Sequence, residues 1–474
     1  MMEDQQFCPK IIARSNDITG ITQGCKFSPD GLCILTCTAS DNFLRLYNTP
    51  PIPPPIPINT QQQENQGEPR KECESQSLSL ENSKKPHIDL NDSWKTILSA
   101  KGGDSVRSYE WYPLMNSYQP ASCAFIISCR DHPIHLIDAY NGSIRATYSP
   151  YNGLDEMESP HVLQFTPEGD RIFASGFRTD RTIHKFHVSR PGRESDILRL
   201  GKTKRSKDGQ KGIVSAIAFP DKVNSAFAGS KIFAVGTYSP GSIYVYDDRL
   251  PNDEPAGVVL QGGVGVVGHG KSFGKRKRRF GSISNSNTHK TSFSDGDEQD
   301  EGEEDIFSAA KEGWYQARVR GGVTQLMWSR GSQNDYLLYS ASRRSDAVVA
   351  FDMRMLSGDS SHPIRGVASY SRDSDTNQRL EFDFDSDGRK MFVASQDCSV
   401  KVYDTWSGKL IDSIDGFHDT VNGVSYSSQN DRTLLAVSTG ARRFGTEGEE
   451  EGENCQQDYN DIVNPPGGLS LYSI

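Results

Sequence analysis

The sequence predicts an all-β fold, a ring of seven four-stranded sheets, and three observations carry that prediction. One strand grammar recurs along the chain: an alternating strand, a polar turn, a strand of small and apolar residues, a short polar loop, a β-rich strand ending in an aromatic and Asp or Asn, and a fourth strand. Within it residues alternate with period two, as in Leu380, Phe382 and Phe384 on one face against Glu381 and Asp383 on the other. Turns between first and second strands carry Asp30-Gly31, Glu168-Gly169 and Asp387-Gly388, the chemistry of tight hairpins. Four strands in about 40 residues is the signature of WD-repeat blades, which close radially and so avoid exposed sheet edges. The predicted class is therefore a seven-bladed WD40 β-propeller. Asp247, Asp352 and Asp404 end third strands in the expected way, after Tyr or Phe, although the WD dipeptide itself is absent.

Taken in order, the first unit reads "CKFSPDGLCILTCTASDNFLRLYN" from Cys25 and the third "VLQFTPEGDRIFASGFRTDRTIHKFHV" from Val162. The sixth reads "LEFDFDSDGRKMFVASQDCSVKVYDTWSGKLIDSI" from Leu380. Looser copies start near Val106, Val214, Val323 and Val421. The last unit offers two strands from Val421 to Ser438 and, after an acidic insert, "GGLSLYSI" as a third. Its missing outer strand is expected from "PKIIARS" near the N-terminus, which would close the ring.

One propeller spanning 1–474 is expected, interrupted by three disordered insertions. The first, 49–93, opens with "TPPIPPPIPI", a polyproline run that reads as a solvated spacer, with a WW or SH3 ligand as the alternative. The second, 262–313, is basic and then acidic; Lys275, Arg276, Lys277, Arg278 and Arg279 form a candidate nuclear-localisation cluster, against an auxiliary phosphate contact or a plain charged loop. The third, 445–466, is an acidic insertion in the last blade.

Composition narrows the class further. The 474 residues are 35% hydrophobic and 24% charged, enough to bury a large core. The longest apolar runs, such as Ala124 to Cys129, fall far short of the roughly 20 residues that span a bilayer. "MMEDQQFCPK" carries acids where a signal peptide carries bases, so neither a membrane partner nor export is expected. The nine cysteines contain no C-x-x-C pair, which points to reduced, buried thiols in a nuclear or cytosolic protein.

Catalytic signatures are missing: there is no G-x-S-x-G elbow, P-loop or H-E-x-x-H. His132 and His135, like His184 and His187, lie three apart, a spacing that on a strand sends side chains to opposite faces and does not build a metal site. His418, just ahead of the last unit, reads as an internal hydrogen-bonding histidine of the blade. No enzyme, cofactor or metal is expected.

A propeller's topology turns sequence positions into a surface map. All loops joining second to third strands, and all loops joining one blade to the next, emerge on the same face. The former carry Arg130, His132, Arg178, Arg181, Arg343, Arg344, Arg442 and Arg443; the latter add Lys202, Lys204 and Arg205. A chain of net charge −10 thus gathers positive charge on one face, which suits an anionic partner held locally. Phe177, Tyr238, Phe444 and His132 lie in the same loops as candidates for stacking unpaired bases. Asp131, Asp180 and Asp346 adjoin these arginines and could instead neutralise them within the loops, leaving a generic nuclear protein-interaction scaffold without direct RNA binding as the alternative.

The segment "WYPLMNSYQPASCAFIISCRDHPIHLIDAYNGSIRATYSPYNGLDE" (Trp111 to Glu156) resembles the second blade of the telomerase Cajal body protein family of WD-repeat proteins. "CKFSPDGLCILTCTASDNFLRLYNTP", "FRTDRTIHKFHVSRPGRE", "TNQRLEFDFDSDGR" and "VKVYDTWSG" resemble other blades of that family in order. The resemblance implies an RNA-binding scaffold that recognises the CAB-box loop of box H/ACA small Cajal body RNAs. It extends the ligands to telomerase RNA, implies partnership with dyskerin-containing H/ACA particles, and places the protein in the nucleus, at Cajal bodies. It implies no DNA ligand. Against the family pattern, the long acidic and proline-rich N-terminal extension associated with animal members is expected to be missing.

Overall fold

The computed structural model describes residues 9–15, 17–18, 20–50, 94–201, 209–220, 231–250, 255–260, 321–331, 336–356, 364, 366–429, 432–441 and 468–474. The insertions at 49–93 (from residue 51), 262–313 and 445–466 fall outside these, apart from small margins. So do Lys202, Lys204, Arg205, Lys275, Arg276, Lys277, Arg278, Arg279, Arg442, Arg443 and Phe444.

Seven four-stranded antiparallel sheets account for the described strands. Blades 1 to 6 cover residues 22–101, 106–148, 162–199, 214–260, 323–371 and 382–414, each sheet taking its strands a to d in chain order. Blade 7 is built from Val421–Gln429, Arg432–Thr439 and Gly468–Ser473, with Lys10–Arg14 paired antiparallel to Gly468–Ser473 as the outer strand. The N-terminal segment expected to close the ring does so.

Strands a meet at the centre, and two kinds of bond tie one blade to the next. The indole of Trp111 donates to the Lys26 carbonyl at 3.1 Å, and that of Trp328 to the Ala218 carbonyl at the same distance, each reaching back to the preceding blade. Gln325 exchanges two hydrogen bonds with the backbone of Phe382, at 2.9 and 3.0 Å, acting as a strand partner between blades 5 and 6. At the seam, Thr22 donates to the Thr439 carbonyl at 2.6 Å and Asn422 to the Thr22 carbonyl at 2.7 Å. Asp17, just past the outer strand of blade 7, accepts from Ser15, from Tyr47 at 2.7 Å and from the Thr96 amide at 2.8 Å, binding that strand to blade 1. These bonds outweigh the burial of the carboxylate and hold its pKa at about 2.

The core is a chain of apolar clusters between adjacent sheets, each mixing residues of two blades. The six described cysteines are free thiols and four are buried. Asp247, Asp352 and Asp404 end their strands c, and each accepts the amide two residues on, from Arg249, Arg354 and Trp406. Asp138 does the same for Tyr140 although it follows Ile137, so the aromatic is dispensable to this turn.

Glu381 and Asp383, on the face opposite Phe382, are both buried, because strand a is covered on either side by neighbouring blades. Two expectations are corrected. Phe177 is 5% exposed and packs edge-on against His184, so it is core and unavailable for stacking. His418 is exposed, and the internal bonding at that corner is made by Asp419, which accepts the Ala441 amide at 2.9 Å. The internal histidine occurs instead ahead of blade 3, where His161 donates from Nδ1 to the Gly176 carbonyl at 2.7 Å.

Candidate nucleic-acid interface

The loops joining strands b and c interlock with those joining successive blades, forming a continuous rim on one face. The Arg130 amide donates to Ser105 at 2.9 Å, Asp131 to Ser159 at 3.0 Å, Arg343 to Gly322 at 2.9 Å, Arg344 to Thr376 at 3.2 Å, and Gly440 to Thr420 at 2.9 Å. Backbone carries most of this rim, so its exposed side chains are largely free of that task and can serve binding on a rigid frame.

The b–c turns share one conformation. Asn42, Asp131, Gly241, Arg344 and Cys398 occupy them in five blades, all with left-handed φ between +50° and +80°. Asn, Asp and Gly are the residues that tolerate this region; an arginine there is uncommon. Arg344 (φ +50°) is exposed, so the turn presents its side chain outward at a small conformational cost.

The described candidates divide into two groups. Arg130, Arg178 and Arg344 are exposed. Arg130 lies 3.4 Å from Asp131, but with these side chains 57% and 75% exposed the pair is weak and can exchange for a phosphate. Arg181 and Arg343 are half-buried. Arg181 donates to the Gln210 carbonyl at 3.1 Å, and Arg343 lies over the Tyr238 ring at 4.3 Å, so both also support the rim. His132 donates from Nδ1 to the Arg130 carbonyl at 2.7 Å, and its ring rests on Gly103, whose missing side chain leaves the space. The structure thus brings Arg130, His132, Arg178, Arg181, Arg343 and Arg344 to one face.

Sequence reasoning missed Arg107. It sits in strand a of blade 2 (Val106–Trp111) and donates to the Ser159 carbonyl and hydroxyl at 2.7 and 2.9 Å, where it meets the charges of Arg130 and Arg178. Burial lowers its pKa, Asp131 opposes the shift, and Arg130 and Arg178 add to it. His161 is lowered by burial and by Arg107 and Arg178 in the same way. The loops of blades 2 and 3 therefore concentrate cations that repel one another. No strand pattern marks Arg107; only the alternation that turns it toward the rim could have flagged it.

A family model described as "WD domain, G-beta repeat" matches residues 9–48 and 378–404. Telomerase Cajal body protein 1 from Bos taurus is 29% identical over 442 residues, 90% of this chain and 60% of its own length. The Homo sapiens protein of the same name is 29% identical over 91% of this chain and 60% of its own. Along most of its length the chain is similar to proteins named telomerase Cajal body protein 1, and it carries WD repeats. It spans about 60% of the length of those relatives. A Schizosaccharomyces pombe protein named guanine nucleotide-binding protein negative regulator 1 is 25% identical over 92% of this chain and 84% of its own length. The resemblance read from the sequence holds along nearly the whole propeller.

Proposed function

We propose that this propeller is a non-enzymatic RNA-binding scaffold of Cajal bodies. In this reading it holds an unpaired loop of box H/ACA small Cajal body RNAs, the CAB box, and of telomerase RNA, beside dyskerin-containing particles in the nucleus. The observation that carries it is the gathering of Arg107, Arg130, Arg178, Arg181, Arg343 and Arg344 on one rim of a chain whose net charge is −10. Phosphate contacts supply affinity and register, while unpaired bases supply the recognised edges. Similarity to proteins named for telomerase and Cajal bodies supports the choice of RNA and compartment.

The test is binding of the full chain to an H/ACA hairpin bearing a CAB-box loop. Replacing Arg130, Arg178 and Arg344 together by Gln removes exposed charge and spares the half-buried Arg181 and Arg343. Affinity is expected to fall at least ten-fold at moderate salt, and the dependence of log affinity on log salt to flatten by roughly two, at about 0.7 for each phosphate that is no longer neutralised. Unchanged affinity and slope, with the melting temperature intact, would place the ligand elsewhere. Recovery of proteins but no small RNA after crosslinking in cells would favour a protein-interaction scaffold.

A further inference from the structure

The b–c turn of blade 5 stands on a buried cation. Arg372, just past strand d of that blade, is 4% exposed, and its guanidinium donates to the carbonyls of Ser342 at 3.0 Å, Ser345 at 3.4 Å and Leu380 at 2.9 Å. Ser342 and Ser345 bracket Arg343 and Arg344, so the turn that carries two rim arginines is held from beneath by a third. We infer that this corner is a phosphate subsite for the RNA backbone, in which Arg343 and Arg344 donate to one phosphate and Arg372 is the positioning residue that holds their turn. The inference rests on the RNA reading above and adds to it the group bound and the residue that places its contacts.

Charge comes first. Among the described residues no carboxylate forms an ion pair with Arg343, Arg344 or Arg372, whereas Arg330, Arg354 and Arg379, around the same two blades, are each paired with an acid. Carbonyl oxygens satisfy the hydrogen-bonding groups of Arg372 and leave its charge uncancelled. Burial alone moves its pKa, down to about 10, and the group stays protonated at neutral pH. A neutral donor would hold the same carbonyls without bringing a cation out of water, so the fold by itself does not call for arginine here. An anion above the turn does.

Geometry comes second. The Arg343 guanidinium lies over the Tyr238 ring at 4.3 Å, and among the described residues its buried Nε has no hydrogen-bond partner. Tyr238 is itself fixed: its amide donates to the Ile213 carbonyl at 2.9 Å, and Gly322 passes so close that a Cβ there would sit 1.8 Å from the Tyr238 carbonyl oxygen. The ring thus keeps the guanidinium plane in one orientation, while no described residue accepts from its terminal nitrogens. A planar fork with unused donors is the geometry that meets two oxygens of one phosphate. Arg344, exposed at φ +50°, adds a second charge beside it. An acidic side chain of a protein partner offers a similar pair of oxygens, but the rim continues to Arg130 and Arg178, and a backbone with a phosphate at every nucleotide serves the whole row.

The experiment measures binding of the full chain to the CAB-box hairpin and to oligouridylate over a range of salt. Arg343→Lys keeps the charge and loses the fork, so affinity is expected to fall roughly five-fold on both RNAs with the salt slope unchanged, whereas Arg343→Gln also flattens the slope by about 0.7. Arg372→Gln keeps a donor for the carbonyls and removes the charge beneath the turn. It is expected to weaken binding roughly three-fold in the otherwise unaltered chain and not at all once Arg343 and Arg344 are both Gln, because it acts through them. Arg343→Lys decides the matter where Arg372→Gln does not fold. Unchanged affinity in Arg343→Lys, or an equal loss from Arg372→Gln in both backgrounds, overturns this inference alone. A loss in Arg343→Lys that is confined to the hairpin assigns the fork to a base edge and overturns the phosphate assignment. No binding of either RNA by the unaltered chain overturns the RNA reading and this inference with it. Binding of polyglutamate that is lost in Arg343→Lys, while RNA binding persists, assigns the corner to a protein partner.

Discussion

In the proposed RNA reading, Arg344 is a residue spent on binding at the expense of the fold. Its left-handed backbone is the conformation that Asn42 and Asp131 adopt in the corresponding turns, and those residue types bear it at lower cost. Arg344→Asn is therefore expected to stabilise the propeller by about 0.5 kcal/mol, a rise of roughly 1 °C in melting temperature, while weakening RNA binding. A fall in both would show that the side chain supports the rim instead. His184 makes the matching prediction for pH. Its pKa is about 4 in the folded chain against 6.5 unfolded, so the unfolded state takes up the proton first. Stability present above pH 6.5 is lost as pH falls toward 4, by up to about 3 kcal/mol. Thermal melts between pH 7 and 4 should show this, and His184→Gln should flatten the dependence in its upper part, leaving the later acid loss from Asp17, whose pKa is about 2.

At the scale of the strand, the outer strand of blade 7 bears the largest consequence. Among the described strands Lys10–Arg14 pairs only with Gly468–Ser473, and Asp17 fastens its exit to blade 1. A chain beginning at Thr22 would leave Gly468–Ser473 as an unpaired edge and bury the Tyr47 hydroxyl without Asp17. Such a chain is expected to melt at least roughly 5 °C lower and to self-associate, measurable by calorimetry and light scattering; an unchanged melting temperature would mean that the ring closes without this strand. The strand itself was legible because a unit with three strands and a spare β-rich segment at the far end of the chain has one economical solution. Turn residues were equally legible: Gly31, Gly169 and Gly388 all take φ near +70° at the hairpins read from Asp-Gly and Glu-Gly.

For the whole molecule, blade number and the face each loop occupies followed from pattern, since antiparallel order fixes where every turn must emerge. What pattern could not supply was depth. Phe177 and Arg178 are neighbours in one loop, yet one is core and the other surface, because the alternation continues past the strand end and turns Phe177 inward against His184. Arg107 joined the site for the converse reason: it belongs to an inner strand and reaches a residue of the next inter-blade loop that is distant in sequence. Glu381 is buried for the same reason, and burial raises its carboxyl pKa.

The pairing of Lys10–Arg14 with Gly468–Ser473 also sets a clock on biogenesis. Ribosomes add about 5–20 residues each second, so the first strand emerges roughly 20 to 90 s before its mate is made. Throughout that interval the nascent chain carries a sticky ribbon with nothing to zip onto, and any product that stops early keeps it. Ring closure thus waits on Gly468–Ser473, and a quality-control factor that binds naked β-edges would sort chains that carry that strand from those that lack it by this feature alone.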